Sequence, residues 1–298
     1  MFKSGFIAIV GRPNSGKSTL INRLIEEKVS IVSWRPQTTR NKIIGIISGE
    51  NYQAVFVDTP GIHLAKNKLS EYMLKSVYNS LVEVDAIVYM IDGTKYINEI
   101  DKDFLSKYSG KVPLIIALNK VDEAPKEHFV DTLKLLNEYK NVKSVYSISA
   151  KRGENVEEMK QELIALLPEG ELMYPTDMYT DKTLRFMVSE IIREKALMFL
   201  EQEIPYGIGI VVERYERRLK GKDITDIDAD IICEKPQHKS IVIGKDGAML
   251  RKIGEAARLD IEKLIDCKVF LKLFVKVENN WRDDNRVLED IGYDKNNI

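Results

Sequence analysis

Along the first 168 residues, short apolar runs alternate with stretches in which apolar side chains recur every three to four positions. The runs are Phe6–Val10, Lys42–Ser48, Gln53–Asp58, Ala86–Asp92, Pro113–Asn119 and Ser144–Ser149. All but the serine-interrupted last are nearly free of polar residues, the pattern of strands covered on both faces. Positions 69–84, 128–140 and 155–168 keep a helical period. Buried strands alternating with helices predict an α/β fold with a doubly wound, mostly parallel sheet. Pro168 closes the last helix, and positions 169–181 carry Pro175 and acidic residues but no period, which predicts a linker after a domain spanning 1–168.

A second pattern follows. Leu184, Met187, Val188, Ile191, Ile192, Ala196, Phe199 and Leu200 share one helical face. Strands are predicted over 207–215 and 225–233, where Ile227, Ala229, Ile231 and Cys233 alternate with acidic residues. A short helix, a Gly-Lys-Asp-Gly loop, a helix over 247–265 and a strand over 268–277 complete the unit. The order predicts a smaller α+β domain over 182–285 and a tail over 286–298.

At 298 residues, with 44% hydrophobic and 31% charged residues, the chain fits two ordinary globular domains. Two cysteines, Cys233 and Cys267, cannot build a disulfide framework and fit a reducing cytosol. The three histidines, His63, His128 and His238, are scattered, which argues against a His/Cys metal site. The run Phe6–Val10 before the first glycine turn is too short for a signal-peptide core or a membrane span, so a cytoplasmic protein is expected. A net charge of −1 supplies no global field for a polyanion. Locally, however, Lys235, Lys239, Lys245, Arg251, Lys252 and Arg258 face only Asp246 and Glu255 between positions 235 and 258.

The strongest motif is "GRPNSGKS": Gly11, Arg12, Pro13, Asn14, Ser15, Gly16, Lys17 and Ser18, directly between a predicted strand and a predicted helix. Glycines at 11 and 16 let successive N–H groups turn inward onto phosphate oxygens at the positive end of the helix. Lys17 is placed to reach the β- and γ-phosphates, and the Ser18 hydroxyl to ligate Mg²⁺. "NKVD" then places Asn119, Lys120 and Asp122 at the end of a strand, on the sheet edge where ligands bind. The Asp122 carboxylate offers two acceptors to guanine N1–H and N2–H, whereas adenine would leave it unsatisfied. Asn119 can bond the base and brace the loops, and the Lys120 stem can cover its face. "SAK" (Ser149, Ala150, Lys151) ends the next strand, with the Ala150 N–H directed at guanine O6. These residues predict binding of GTP and GDP.

Here the chain resembles translation-factor-class GTPases, and more closely the Era family. "DTPG" (Asp58, Thr59, Pro60, Gly61) is similar to the switch II entry, which implies Asp58 holding Mg²⁺ through water and the Gly61 N–H sensing the γ-phosphate. "PQTTR" resembles the family's switch I and implies Thr39 as the Mg²⁺ ligand made only with the third phosphate, Thr38 being the alternative. Lys17, Thr39 and Gly61 are thereby the expected catalytic groups. Ile62 follows Gly61, so no carboxamide positions the attacking water and intrinsic hydrolysis should be slow. His63 is a neighbouring candidate whose simpler reading is a loop residue. Asn14 resembles the asparagine of potassium-dependent relatives, implying K⁺ in the GTP site.

The Gly-Lys-Asp-Gly loop, Gly244–Gly247, is a spacing that chance supplies about once in a chain of this length. Its setting gives it weight: Ile241, Val242 and Ile243 precede it, and a helix with Arg251, Lys252 and Arg258 follows. The segment resembles a type II KH domain, whose G-x-x-G clamps the backbone of single-stranded RNA. Ile241 and Ile243 are then placed near bases, Gly244, Lys245, Asp246 and Gly247 at phosphates, and the cations neutralise charge. Asp246 departs from this by repelling phosphate. "VKVENNWRDD" resembles the family's KH ending.

The resemblance covers about positions 5–290. It implies binding at the 3′ end of 16S rRNA, late maturation of the 30S subunit, GTP-dependent coupling between domains, a monomer, and peripheral association with the inner membrane. Two other readings stand beside it. A GTPase acting through a protein or membrane partner would use the second domain as a docking module. A tRNA-modifying GTPase would need a C-terminal catalytic cysteine or cofactor motif, and none is seen.

Overall fold

β1 (Lys3–Gly11) sits at the centre of the first unit, with Ile7 and Ile9 buried on one face of the sheet and Ala8 and Val10 on the other. Burial from both sides is why the strand sequences read as continuous apolar runs. The computed structural model describes residues 1–139, 141–218 and 223–293. Lys140 and positions 294–298, the expected helix end and part of the expected tail, lie outside the described residues. Contacts group Met1–Ala65 with Met73–Asp181, and Lys66–Tyr72 with the residues from Lys182 on.

Along the chain β1 is followed by α1 (Lys17–Ile25), β2 (Ile43–Ser48), β3 (Tyr52–Asp58), α2 (Lys68–Asn79), β4 (Ala86–Asp92) and α3 (Glu99–Tyr108). Next come β5 (Leu114–Asn119), α4 (Lys126–Leu136), β6 (Ser144–Ile148) and α5 (Val156–Leu166). The sheet order is β2-β3-β1-β4-β5-β6, parallel except for β2 against β3. The chain leaves β1 toward β3 on one side and β4 on the other, so the loop after β1 opens at the topological switch point.

Two expectations change. The helix predicted over 69–84 stops at Asn79, because Leu81 and Val82 donate to Tyr78 O and Asn79 O in a tightened turn before Asp85 N–H reaches Phe6 O. The segment 169–181 lies along the first unit: Gly170 N–H donates to Phe2 O, Ile46 N–H donates to Tyr179 O at 2.9 Å, and Tyr174 and Met178 pack on Ile44, Ile46 and Val55.

The second unit contains α6 (Leu184–Phe199), β7 (Gly209–Arg217), β8 (Ile224–Cys233), α7 (Pro236–Ile243), α8 (Ala248–Ile265), β9 (Lys268–Val277) and α9 (Asn285–Asp290). Its sheet runs β7-β8-β9, the first pair antiparallel and the second parallel. Ile227, Ala229 and Ile231 face a core shared with α6 and α8, which accounts for the alternation with aspartates along β8. Trp281 is fully buried and its indole N–H donates to Gly207 O at 2.9 Å, pinning the C-terminal turn. Among the described residues no helix is long and apolar enough to cross a membrane.

Candidate functional site: a nucleotide cavity and a glycine-loop groove

α1 begins at Gly16, whose φ of +102 suits glycine, and a Cβ there would lie 2.1 Å from Asn119 Nδ2. No side chain caps this helix, so its first amides stay bare for an anion. Lys17 folds back to donate to Gly11 O and Arg12 O at 3.1 and 2.9 Å. Burial pulls its ammonium down to about 8, with the neighbouring Asp58 charge partly opposing. Burial also raises the Asp58 carboxyl against the opposing pull of Lys17 and three hydroxyls.

Those hydroxyls define the metal-side geometry. Asp58 Oδ2 accepts from Ser30 Oγ at 2.8 Å, Ser18 Oγ at 3.0 Å and Thr39 Oγ1 at 3.3 Å, while Ser18 and Thr39 hydroxyls meet at 2.7 Å. Asp58 Oδ1 is buried with no hydrogen-bond partner. Two hydroxyls beside a carboxylate with one unsatisfied oxygen make an all-oxygen set suited to Mg²⁺ and its waters. Thr38 instead donates to Arg35 O at 2.7 Å, so Thr39 is the threonine the fold brings to this point.

The cavity over this cluster measures about 560 Å³ and is lined by Pro13, Asn14, Gly16, Lys17, Ser18, Thr39, Gly61, Lys120 and Lys151 among the expected residues. Gln37, from the switch I motif, also lines it, as do Ile31, Val32, Ser33, Trp34 and Lys95, which the sequence motifs did not include. Only the proximity of Ile31–Trp34 to the switch I motif could have signalled them.

At the base end, Asn119 Nδ2 donates to Ser15 O at 2.8 Å and its Oδ1 accepts from Ala150 N–H at 2.9 Å. The Ala150 amide expected at guanine O6 therefore also braces Asn119. The Asp122 side chain is 4% exposed and lies 3.1 Å from Arg152 Nε, and Lys120 Nζ donates to Asp92 at 2.8 Å. Ser149 Oγ accepts from Arg152 N–H at 3.1 Å, so that hydroxyl holds the loop.

At three of the expected nucleotide-binding positions the side chain is turned into the protein. The Arg12 side chain turns away to the fully buried Asp101, 3.1 Å away, and donates to Tyr96 O, leaving only its main chain for phosphate. The Thr59 hydroxyl donates to Ile9 O at 2.8 Å and ties the loop after β3 to β1. The Ser15 hydroxyl is buried without a partner, while its carbonyl serves Asn119. Gly61 packs against the first glycine loop, where a Cβ would lie 2.7 Å from Pro13 Cα, and Ile62 N–H donates to Gly11 O at 3.1 Å.

In the second unit the loop 244–247 is open: Lys245 and Asp246 are exposed, and Ile241 is 48% exposed beside the half-buried Ile243. Its two glycines are needed for different reasons. Gly244 has φ +72 and a Cβ there would lie 2.7 Å from Met249 Cβ, whereas a Cβ on Gly247, φ +75, would meet nothing within 4 Å. α8 starts at Gly247 without a side-chain cap, the same bare helix entry found at Gly16. A groove of about 340 Å³ beside the loop is lined by Gly247, Leu250, Arg251, Gly254, Glu255, Arg258, Leu271 and Leu273. Arg258 donates to Glu262 at 2.9 Å. Lys252 lies one position round the helix from Arg251, and its ammonium is 4.4 Å from the centre of the Phe199 ring on α6.

A P-loop sheet with a Ser-Thr-Asp cluster and a base-end Asn/Asp pair, joined to a KH-like unit, defines a two-domain P-loop GTPase with a nucleic-acid-binding fold. A family model described as a 50S ribosome-binding GTPase matches residues 6–120, and one for the KH domain matches 203–282. GTPase Era of Clostridium botulinum strain Langeland is 46% identical over 296 residues, 99% of each chain, and that of Caldanaerobacter subterraneus subsp. tengcongensis is 46% identical over 293 residues, 98% of each. The crystal structure of Era with MgGDPNP and nucleotides 1506–1542 of 16S ribosomal RNA matches with a TM-score of 0.94 and 35% identity, over 98% of this chain and 99% of that one. A variant of Aquifex aeolicus Era bound to GDP·AlF4⁻ matches with a TM-score of 0.93 and 34% identity, over the same shares. The chain belongs to the Era family of GTPases, and it binds and hydrolyses GTP.

Proposed function

We propose that this GTPase is a nucleotide-controlled RNA-binding switch that engages the 3′-end region of 16S rRNA and assists maturation of the 30S subunit. The observation carrying this reading is that one chain holds two uncapped glycine helix entries, at Gly16 and Gly247, one over a cavity of about 560 Å³ and one beside a groove carrying Arg251 and Arg258. The relative solved with this part of 16S rRNA covers 98% of this chain, which supports the choice of RNA.

In the nucleotide site, residues 11–18 cradle the phosphates and Lys17 offsets charge developing between the β- and γ-phosphates. Ser18 and Thr39 ligate Mg²⁺ directly and Asp58 through water; when bound, the ion bridges phosphate oxygens and stabilises their charge. Thr39 and the Gly61 N–H engage the third phosphate, and losing it on hydrolysis releases both. Asn119, Lys120, Asp122 and residues 149–151 hold guanine. Asn14 Nδ2 donates to Trp34 O at 2.7 Å, and with the amide turned both oxygens would serve K⁺. In the second domain, over 182–285, Ile241, Ile243 and the loop 244–247 take the RNA strand, with Arg251 and Arg258 along the groove. Residues 1–168 form the G domain, 169–181 the connection and 286–298 the tail. The same reading places the protein in the cytoplasm as a monomer; peripheral inner-membrane association rests on the family likeness alone.

The test is GTP turnover with and without a 16S 3′-end oligonucleotide, in K⁺ and then in Na⁺. Stimulation by the RNA, larger in K⁺, is expected. Unchanged turnover and unchanged nucleotide affinity with RNA would overturn the coupling.

A further inference from the structure

Arg23 lies on α1, six residues after Lys17 and so about 9 Å along the helix from the phosphate end. Its guanidinium crosses to the loop after β6. Nη2 donates to Lys151 O at 2.6 Å and Nε to Ala150 O at 3.4 Å. Gly153 lies against the same side chain, its ideal Cβ 3.8 Å from Arg23 Cδ.

A trans peptide points its C=O and N–H in opposite directions. Anchoring the carbonyls of Ala150 and Lys151 from one side therefore sets the tilt of two successive peptide units. The far amide of the pair, Arg152 N–H, donates to Ser149 Oγ at 3.1 Å. The amide just before them, Ala150 N–H, is the group assigned to guanine O6, and it meets Asn119 Oδ1 at 2.9 Å. The loop is thus gripped from α1 on its carbonyl side and from β5 on its amide side. Arginine suits this grip because a planar fork offers several donors in fixed geometry, where lysine offers one point charge.

We propose that Arg23 is a positioning residue for recognition of the guanine six-position: it fixes the loop that presents the Ala150 N–H, without touching the nucleotide. This rests on the guanine-site reading above. It separates base recognition into two parts, the two-amino group read by Asp122 and the six-oxygen read through a loop that Arg23 holds.

The experiment compares the full-length protein with Arg23→Ala and Arg23→Lys by equilibrium binding of GDP, IDP and 6-thio-GDP. IDP lacks the two-amino group, so the GDP:IDP ratio reports Asp122. The larger, weaker sulfur acceptor makes the GDP:6-thio-GDP ratio a report on the Ala150 amide. Arg23→Ala should lower the second ratio by about five- to tenfold, leave the first within about twofold, and Arg23→Lys should recover part of the loss. An unchanged six-position ratio overturns the proposal, as does an equal fall in both ratios, which marks general loosening. If the unsubstituted protein fails to distinguish 6-thio-GDP, the assignment of Ala150 to O6 is wrong and the proposal falls with it.

Discussion

Gln53 holds Tyr174: its Oε1 accepts from the main-chain N–H of Tyr174 at 2.9 Å and of Met173 at 2.8 Å, and its Nε2 donates to Tyr174 O at 2.8 Å. Gln53 is fully buried on β3, and its Nε2 also donates to Ser48 Oγ on β2. The segment after α5 is therefore fastened to the sheet. Gln53→Ala should cost about 2–3 kcal/mol, since it strands several buried polar groups, and should speed limited proteolysis within 169–181. A denaturation midpoint and a cleavage time course read both. Unchanged values for each would show that the clamp contributes nothing.

The Lys17 ammonium gives a pH prediction. Its folded value near 8 lies below the ordinary 10.5, so between those limits the unfolded chain holds more protons. Stability of the nucleotide-free protein should rise with pH across that window, by a total of about 3 kcal/mol. Bound phosphates restore the charged form, so GDP binding should take up a proton near pH 8.5 and weaken as pH rises above 8. Calorimetry in buffers of different ionisation enthalpy measures the uptake, which should vanish in Lys17→Met. Equal proton release or no proton exchange would contradict the burial argument.

Asp58 carries one oxygen saturated by hydroxyls and one without a partner. Asp58→Asn keeps the shape and removes the charge. GTP turnover should fall by about 10²-fold or more, and the dependence of GTP affinity on Mg²⁺ concentration should flatten. A Mg²⁺ titration of turnover and affinity decides; an unaltered Mg²⁺ dependence would remove Asp58 from the metal site.

The two loop glycines should separate. Gly247→Asp projects into open space and should leave the melting temperature within a few degrees while weakening RNA binding, whereas Gly244→Asp drives into Met249 and should destabilise the domain itself. On the helix, Arg251→Ala should lower the salt slope of RNA binding by about one, and Lys252→Ala should leave it unchanged because that ammonium sits on Phe199. Equal slopes for both variants would place the RNA elsewhere.

The strands were legible because a sheet buried on both faces writes itself as apolar runs, and the glycine loops because backbone conformation restricts the residue type. What escaped depended on long-range partners. Nothing local to Arg12 points to Asp101, and nothing local to Gln53 points to a segment 120 residues later. Helix ends were also hidden, since positions 80–84 keep an apolar period while turning into β4. The Lys252 placement was readable in principle: Arg251 and Arg258 are seven residues apart on one helical face, and Lys252 is about 100° round from them.

The most direct measurement is the affinity of the full-length protein for a 16S 3′-end oligonucleotide when loaded with GDPNP and when loaded with GDP, at fixed salt. Coupling requires the two affinities to differ, with RNA shifting the GDPNP:GDP preference by the same factor. RNA binding of equal strength in both states would mean that the phosphate cavity and the glycine-loop groove act independently.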